Sequence, residues 1–188
     1  MQLKIWEKYW KQIVTIADFQ FGKGVGEKLF PKDEIEFILG NTKKIRKILR
    51  NNEVVATLRP EDGLLVLSFY GAELLHQILP NLRYRVKVKK EAVPFIAQGY
   101  NVLANQIEFA DEEILPREEV IVLDPLGRVI AVGDALLNGK EMYEFNYGVA
   151  IKVRKSLKDK LKKLGKWNSN WSDEEKRQKI MEFLKLEF

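Results

Sequence analysis

Apolar and polar positions change period along this chain, and each change predicts an element. Trp6, Trp10, Ile13 and Ala17 recur at helical spacing with lysines between them, so residues 3–17 read as a helix. Gly22, Gly24 and Gly26 then punctuate the chain, which predicts tight backbone before a helix resumes at residues 25–29. From Glu34 the period shortens. Strands are expected over residues 34–39, 44–49, 54–59 and 64–68, with turns at Asn51-Asn52 and Glu61-Asp62-Gly63. Leu74, Leu75, Ile78 and Leu79 return to helical spacing over residues 71–79, and Pro80 ends that helix.

The second half repeats the alternation in shorter pieces. Residues 84–88 read as a strand, 91–97 as a short helix and 102–107 as a strand after the turn at Gly99. An acidic loop, 108–113, precedes three strand-like runs at 119–123, 128–135 and 147–153, separated by Asp124-Pro125-Leu126-Gly127 and Asn138-Gly139. Several short strands with one small helix suit a small, partly open barrel. Beyond it, Ser156 with Asp159 and Ser172 with Glu175 carry the capping pattern that starts helices. Their apolar stripes are Leu157, Leu161 and Leu164, then Ile180, Phe183 and Leu184. The expected class is α+β: an N-terminal α+β domain over 1–83, a β-barrel domain over 84–155 and a helical extension over 156–188.

Composition narrows the chemistry. The chain of 188 residues has no cysteine, which removes disulfides, thiolate catalysis and sulfur-ligated zinc. His76 is its one histidine, and it lies among the leucines of the 71–79 helix, so no relay triad or histidine metal site is expected. No cofactor and no metal are expected. Gly22-Lys23-Gly24-Val25-Gly26 lacks the spacing and the hydroxyl of a phosphate loop and reads as a turn packed on another backbone. No apolar run reaches the ~20 residues of a membrane span, which predicts a cytoplasmic protein. A lysine- and glutamate-rich chain without cysteine suits a thermophile. The net charge of +5 divides as +3 over 1–83, −1 over 84–155 and +3 over 156–188. Basic clusters at Lys43–Arg50, at Lys87, Lys89 and Lys90, and at Lys152, Arg154 and Lys155 would attract phosphates if the fold joined them. Asp111, Glu112, Glu113, Glu118 and Glu119 read as a solvated acidic face.

Residues 84–155 carry a more specific pattern. Gly99, Asn101-Val102, Glu119-Val120, Ala131-Val132-Gly133, Ala135, Gly148, Ala150 and Lys152-Val153-Arg154 resemble the PUA domain, an RNA-binding barrel. Ala17 to Phe30, Ala56 to Leu65 and Gly71-Ala72 resemble the domain that precedes PUA in archaeosine tRNA-guanine transglycosylase and archaeosine synthase. The resemblance implies RNA binding, tRNA foremost, in a groove made of Lys89, Lys90, Gly99, Tyr100, Asn101, Lys152 and Arg154. It favours Arg154 as the residue whose planar fork clasps a phosphate. Asp134 and Asn105 stand where the family often has basic residues. The family's catalytic barrel, with its aspartates and zinc site, has no counterpart in these residues. The implied protein is therefore not an enzyme but an RNA-binding module that assists a separate tRNA-modification enzyme. The rival reading is a protein–protein adaptor whose barrel no longer binds RNA.

Overall fold

The computed structural model describes residues 2–185, and the chain divides into two compact units between Pro80 and Asn81. The first unit opens with α1 (Gln2–Phe21), which runs one turn beyond its periodic stripe, and α2 (Val25–Leu29). Gly24 takes φ +83 just before α2, and a Cβ on Gly26 would strike the Val14 backbone, so the glycine run is a helix–helix turn. Asp18 accepts from Gly26 N at 2.7 Å and fixes that turn. Strands β1 (Ile35–Leu39), β2 (Ile45–Arg50), β3 (Glu53–Leu58) and β4 (Leu65–Leu67) form an antiparallel meander in sequential order. The Gln20 carboxamide docks α1 on it, donating to Leu65 O and accepting from Leu65 N, both at 2.9 Å. Helix α3 (Phe69–Ile78) is capped by Ser68, whose Oγ accepts from Gly71 N.

The second unit is a six-stranded sheet that curls on itself. Its strands are β5 (Arg85–Val88), β6 (Val102–Leu103), β7 (Ile107–Ala110), β8 (Glu119–Leu123), β9 (Val129–Ala135) and β10 (Val149–Ser156), in the spatial order β6-β10-β9-β8-β5-β7. The two edge strands are joined only by the 3-10 turn Ala104–Gln106, which nearly closes the barrel. This corrects the expected strand over 102–107. Val102 pairs with β10 while Ile107 pairs with β5, so the run has to break to reach both edges. The expected acidic loop starts as strand, because Glu108 to Ala110 continue β7. Helix α4 (Val93–Ile96) packs against β9, and α5 (Glu141–Glu144) lies in the connection after Asn138-Gly139.

The tail belongs to this unit. Helices α6 (Leu157–Lys163) and α7 (Asp173–Leu184) start at Ser156 and Ser172, and both capping boxes form. Leu157, Leu161, Ile180, Met181 and Leu184 are buried, whereas Leu164 and Phe183 of the expected stripes stay exposed. Arg128 ties the last turn down. Its Nε donates to the fully buried Asp124 at 2.7 Å, and its guanidinium donates to the Leu184 carbonyl. Residues 186–188 of the expected extension lie outside the described residues.

Candidate nucleic-acid interface

The expected groove residues come from segments far apart in sequence, and five of them, Lys89, Gly99, Tyr100, Asn101 and Lys152, lie on or beside one ribbon. Residues 97–105 run antiparallel along β10. Lys158 N donates to Ala97 O at 2.9 Å, Val153 N to the Asn101 Oδ1 at 3.0 Å, and Ala104 N to Gly148 O at 3.0 Å. Val102 and Leu103 pair with Ile151 and Val149 between those points. Asn101 is therefore a structural clasp that holds the ribbon to the strand. At the Gly148 end, Lys89 Nζ donates to the Asn105 carbonyl at 2.7 Å. At the other end Gly99 holds φ +102, a conformation that favours glycine.

Along this strip Lys152 and Lys155 are exposed on β10, Lys89 is exposed and Lys90 half-exposed before α4. Tyr100 is 58% exposed and meets the Phe95 ring edge-on at 6.3 Å. Cations beside an exposed flat ring are what an RNA backbone with an unstacked base requires. Lys89 of the second basic cluster and Lys152 and Lys155 of the third therefore border one ribbon. The Lys43–Arg50 cluster belongs to the first unit, where Arg50 pairs with Glu34 at 2.6 Å.

Arg154 has a different place. Its guanidinium donates to Asp134 at 2.5 Å and to Glu119 at 2.6 Å, and the Glu119 side chain is only 1% exposed. Strand register explains the meeting: Glu119 lies opposite Asp134 across β8 and β9, and Asp134 opposite Lys152 across β9 and β10. The register shifts between Val153 and Lys155, so Arg154 sits at a bulge and reaches back over both carboxylates. The fork expected to clasp a phosphate already clasps two carboxylates. Asp134 does not merely lower the potential of the strip; it completes this ion pair. Sequence reasoning missed Glu119 here, and only the strand order brings it within reach.

The expected solvated acidic face is also partly engaged. Asp111 accepts from Arg83 at 2.5 Å and from Tyr84 N at 2.8 Å. Burial pushes the Tyr84 phenol above its ordinary value and the Arg85 guanidinium below its own. Among the described residues no cluster of three or more acidic, histidine or cysteine side chains could hold a metal ion. No described helix is long and apolar enough to cross a membrane.

Comparison with known proteins follows the same division. The PUA domain is matched over residues 84–157, and the patch-forming domain C2 of tRNA-guanine transglycosylase over residues 11–81. This chain is a PUA-domain protein. It carries the pair of domains that the sequence suggested, and the catalytic barrel is not among its residues. The tRNA-guanine(15) transglycosylase of Pyrococcus furiosus is 43% identical over 148 residues, and that of Methanothermobacter thermautotrophicus 41% identical over 144 residues. These alignments cover 79% and 77% of the chain but only 25% and 22% of the relatives, so the PUA-domain protein spans about a quarter of their length. A hypothetical protein from the hyperthermophilic archaeon Pyrococcus horikoshii is similar over 84% of this chain and 95% of its own, with 31% identity and a TM-score of 0.66. A conserved PUA domain protein from Thermoplasma acidophilum shares the fold at 20% identity and a TM-score of 0.57, over 86% of this chain and 94% of its own.

Proposed function

We propose that this PUA-domain protein binds tRNA along the 97–105 ribbon and β10, and that it assists a separate tRNA-modification enzyme without catalysing the reaction itself. The observation that carries the reading is the strip itself: Lys89, Lys152 and Lys155 border one ribbon that also presents the Tyr100 ring. PUA domains bind RNA, and the similar proteins named above include tRNA-guanine(15) transglycosylases, which supports tRNA as the ligand. Gly99 allows a sugar-phosphate close to the backbone, the lysines neutralise phosphates, and Asn101 keeps the two walls in register. Arg154 contributes by holding the β8–β9–β10 corner rather than by touching RNA.

Titration of the full chain with unfractionated tRNA, followed by fluorescence anisotropy, tests this. Lys152→Ala should weaken binding about tenfold, the scale of one charge-assisted hydrogen bond. A Lys89→Ala, Lys90→Ala variant should do the same. Unchanged affinity in both would remove the strip as the RNA site.

The adaptor reading rests on one observation of its own. Phe145 and Tyr147 stack at 6.3 Å with 11° between their planes, and Tyr147 is 80% exposed. If the chain binds no tRNA at low salt, this aromatic pair is where a protein partner should be sought.

A further inference from the structure

The residues beyond 157 lie outside the matched PUA domain, yet they pack against the same Gly99 turn. The Lys158 amide is fixed to Ala97, and the Arg177 guanidinium lies over the Phe95 ring at 5.5 Å. Between tail and barrel is an open pocket of about 310 Å³ walled by Gly99, Tyr100, Lys158, Lys162, Trp167 and Lys176. We propose that this pocket is an RNA subsite supplied by the tail. It takes one unpaired nucleotide beside the ribbon, with its phosphate on the lysines and its base against Tyr100 and Trp167. The inference rests on the RNA-binding reading and extends it to residues that the family match does not include.

Charge and shape both favour that occupant. Among the described residues no carboxylate lies within ion-pair distance of Lys158 or Lys162. Asp173 also lines the pocket, but its side chain is 82% exposed and 3.7 Å from Lys176. A concave wall with an excess of like charge focuses a positive potential, and an anion relieves the repulsion. A Cβ on Gly99 would stand 3.4 Å from Lys158 Nζ, so that ammonium is held directly against the bare turn. Tyr100 is exposed and Trp167 half-buried, and a base offers them the flat apolar face that an acidic peptide lacks. Trp167 is braced edge-on by Trp171 at 5.8 Å.

The test uses the full chain with two probes, unfractionated tRNA and a short single-stranded RNA oligonucleotide. Lys158→Ala with Lys162→Ala should weaken oligonucleotide binding at least tenfold. Trp167→Ala should weaken it by a similar factor and abolish ligand-induced quenching of tryptophan emission, while Trp167→Phe keeps most of the affinity. The exposed single change Lys162→Glu repeats the charge test with little risk to folding, and thermal melts check each variant. Wild-type affinity for both RNAs in the tail variants, together with loss in Lys152→Ala, would overturn the subsite and leave the ribbon reading standing. Absence of RNA binding by the wild-type chain at low salt would overturn both. Displacement of the oligonucleotide by poly-aspartate with no tryptophan quenching by RNA would reassign the pocket to an acidic protein segment.

Discussion

Arg154 holds Glu119 and Asp134 together, and removing it takes the guanidinium away from a carboxylate that is almost wholly buried. Arg154→Ala should therefore lower stability by about 3 kcal/mol, the scale of a broken buried pair, as read from urea unfolding. Arg154→Lys should recover only part of this, because one ammonium cannot present a fork to two acids. A loss of RNA binding in Arg154→Ala would then report a loosened β8–β9–β10 corner. Gly99→Val is a poor probe of the groove for a similar reason: φ +102 strains any side chain whether or not RNA is present. Tyr84 supplies a pH test. Burial raises its phenol, so its folded value exceeds the unfolded value of about 10. The folded state then binds the proton more tightly, and the contribution is full below pH ~10 and lost as pH rises through the folded value. Tyr84→Phe should flatten the alkaline fall in stability, measured by denaturant unfolding across that range.

At the scale of elements, buried side chains and the Arg128 contacts to Asp124 and Leu184 hold the tail helices. Ile180 is fully buried, and Ile180→Ala should cost about 3 kcal/mol by transfer loss and cavity formation. Because α7 also carries Lys176 and lines one pocket with Trp167 and Trp171, the same variant should shift tryptophan emission to the red and weaken oligonucleotide binding. Hydrogen exchange should show α7 opening before the barrel strands. Protection of α7 equal to that of β9 in the variant would mean that the tail is held by other contacts. The ribbon has its own weak point in Asn101, whose carboxamide oxygen holds the Val153 amide.

For the whole molecule, the charge distribution predicts how binding responds to salt. The matched barrel segment is nearly neutral and the tail is +3, yet tail lysines and barrel lysines flank the same ribbon. If about four to six of them meet phosphates, the logarithm of affinity should fall against the logarithm of salt with a slope of roughly −0.7 to −0.9 per contact. Anisotropy titrations at several salt concentrations measure this slope. A chain lacking the Lys158 and Lys162 ammonium groups should lose about two contacts' worth of it. A flat salt response would point to the adaptor reading.

Much of this architecture was legible because it depends on neighbours in sequence. Helical spacing of Trp6, Trp10, Ile13 and Ala17, the glycine turn, the caps at Ser156 and Ser172 and the strands at 119–123 and 129–135 follow from local sterics and hydrogen bonding. The PUA resemblance was carried by similar short patterns, such as Ala131-Val132-Gly133, where Gly133 lets β10 approach and a Cβ would strike the Lys152 carbonyl. Pairings across the barrel were not legible. Glu119, Asp134 and Arg154 meet only because β9 lies between β8 and β10 and a bulge turns Arg154 back. The break at Ala104–Gln106 likewise arises from closing the barrel, since no local preference separates Val102 from Ile107. The pocket at Gly99 is the same kind of fact. Sequence determined that the chain has a PUA barrel and a capped, basic tail; only the tertiary fold decided that Arg154 is spoken for and that Lys158, Lys162 and Lys176 face Tyr100, because those are long-range contacts fixed by strand order and helix docking.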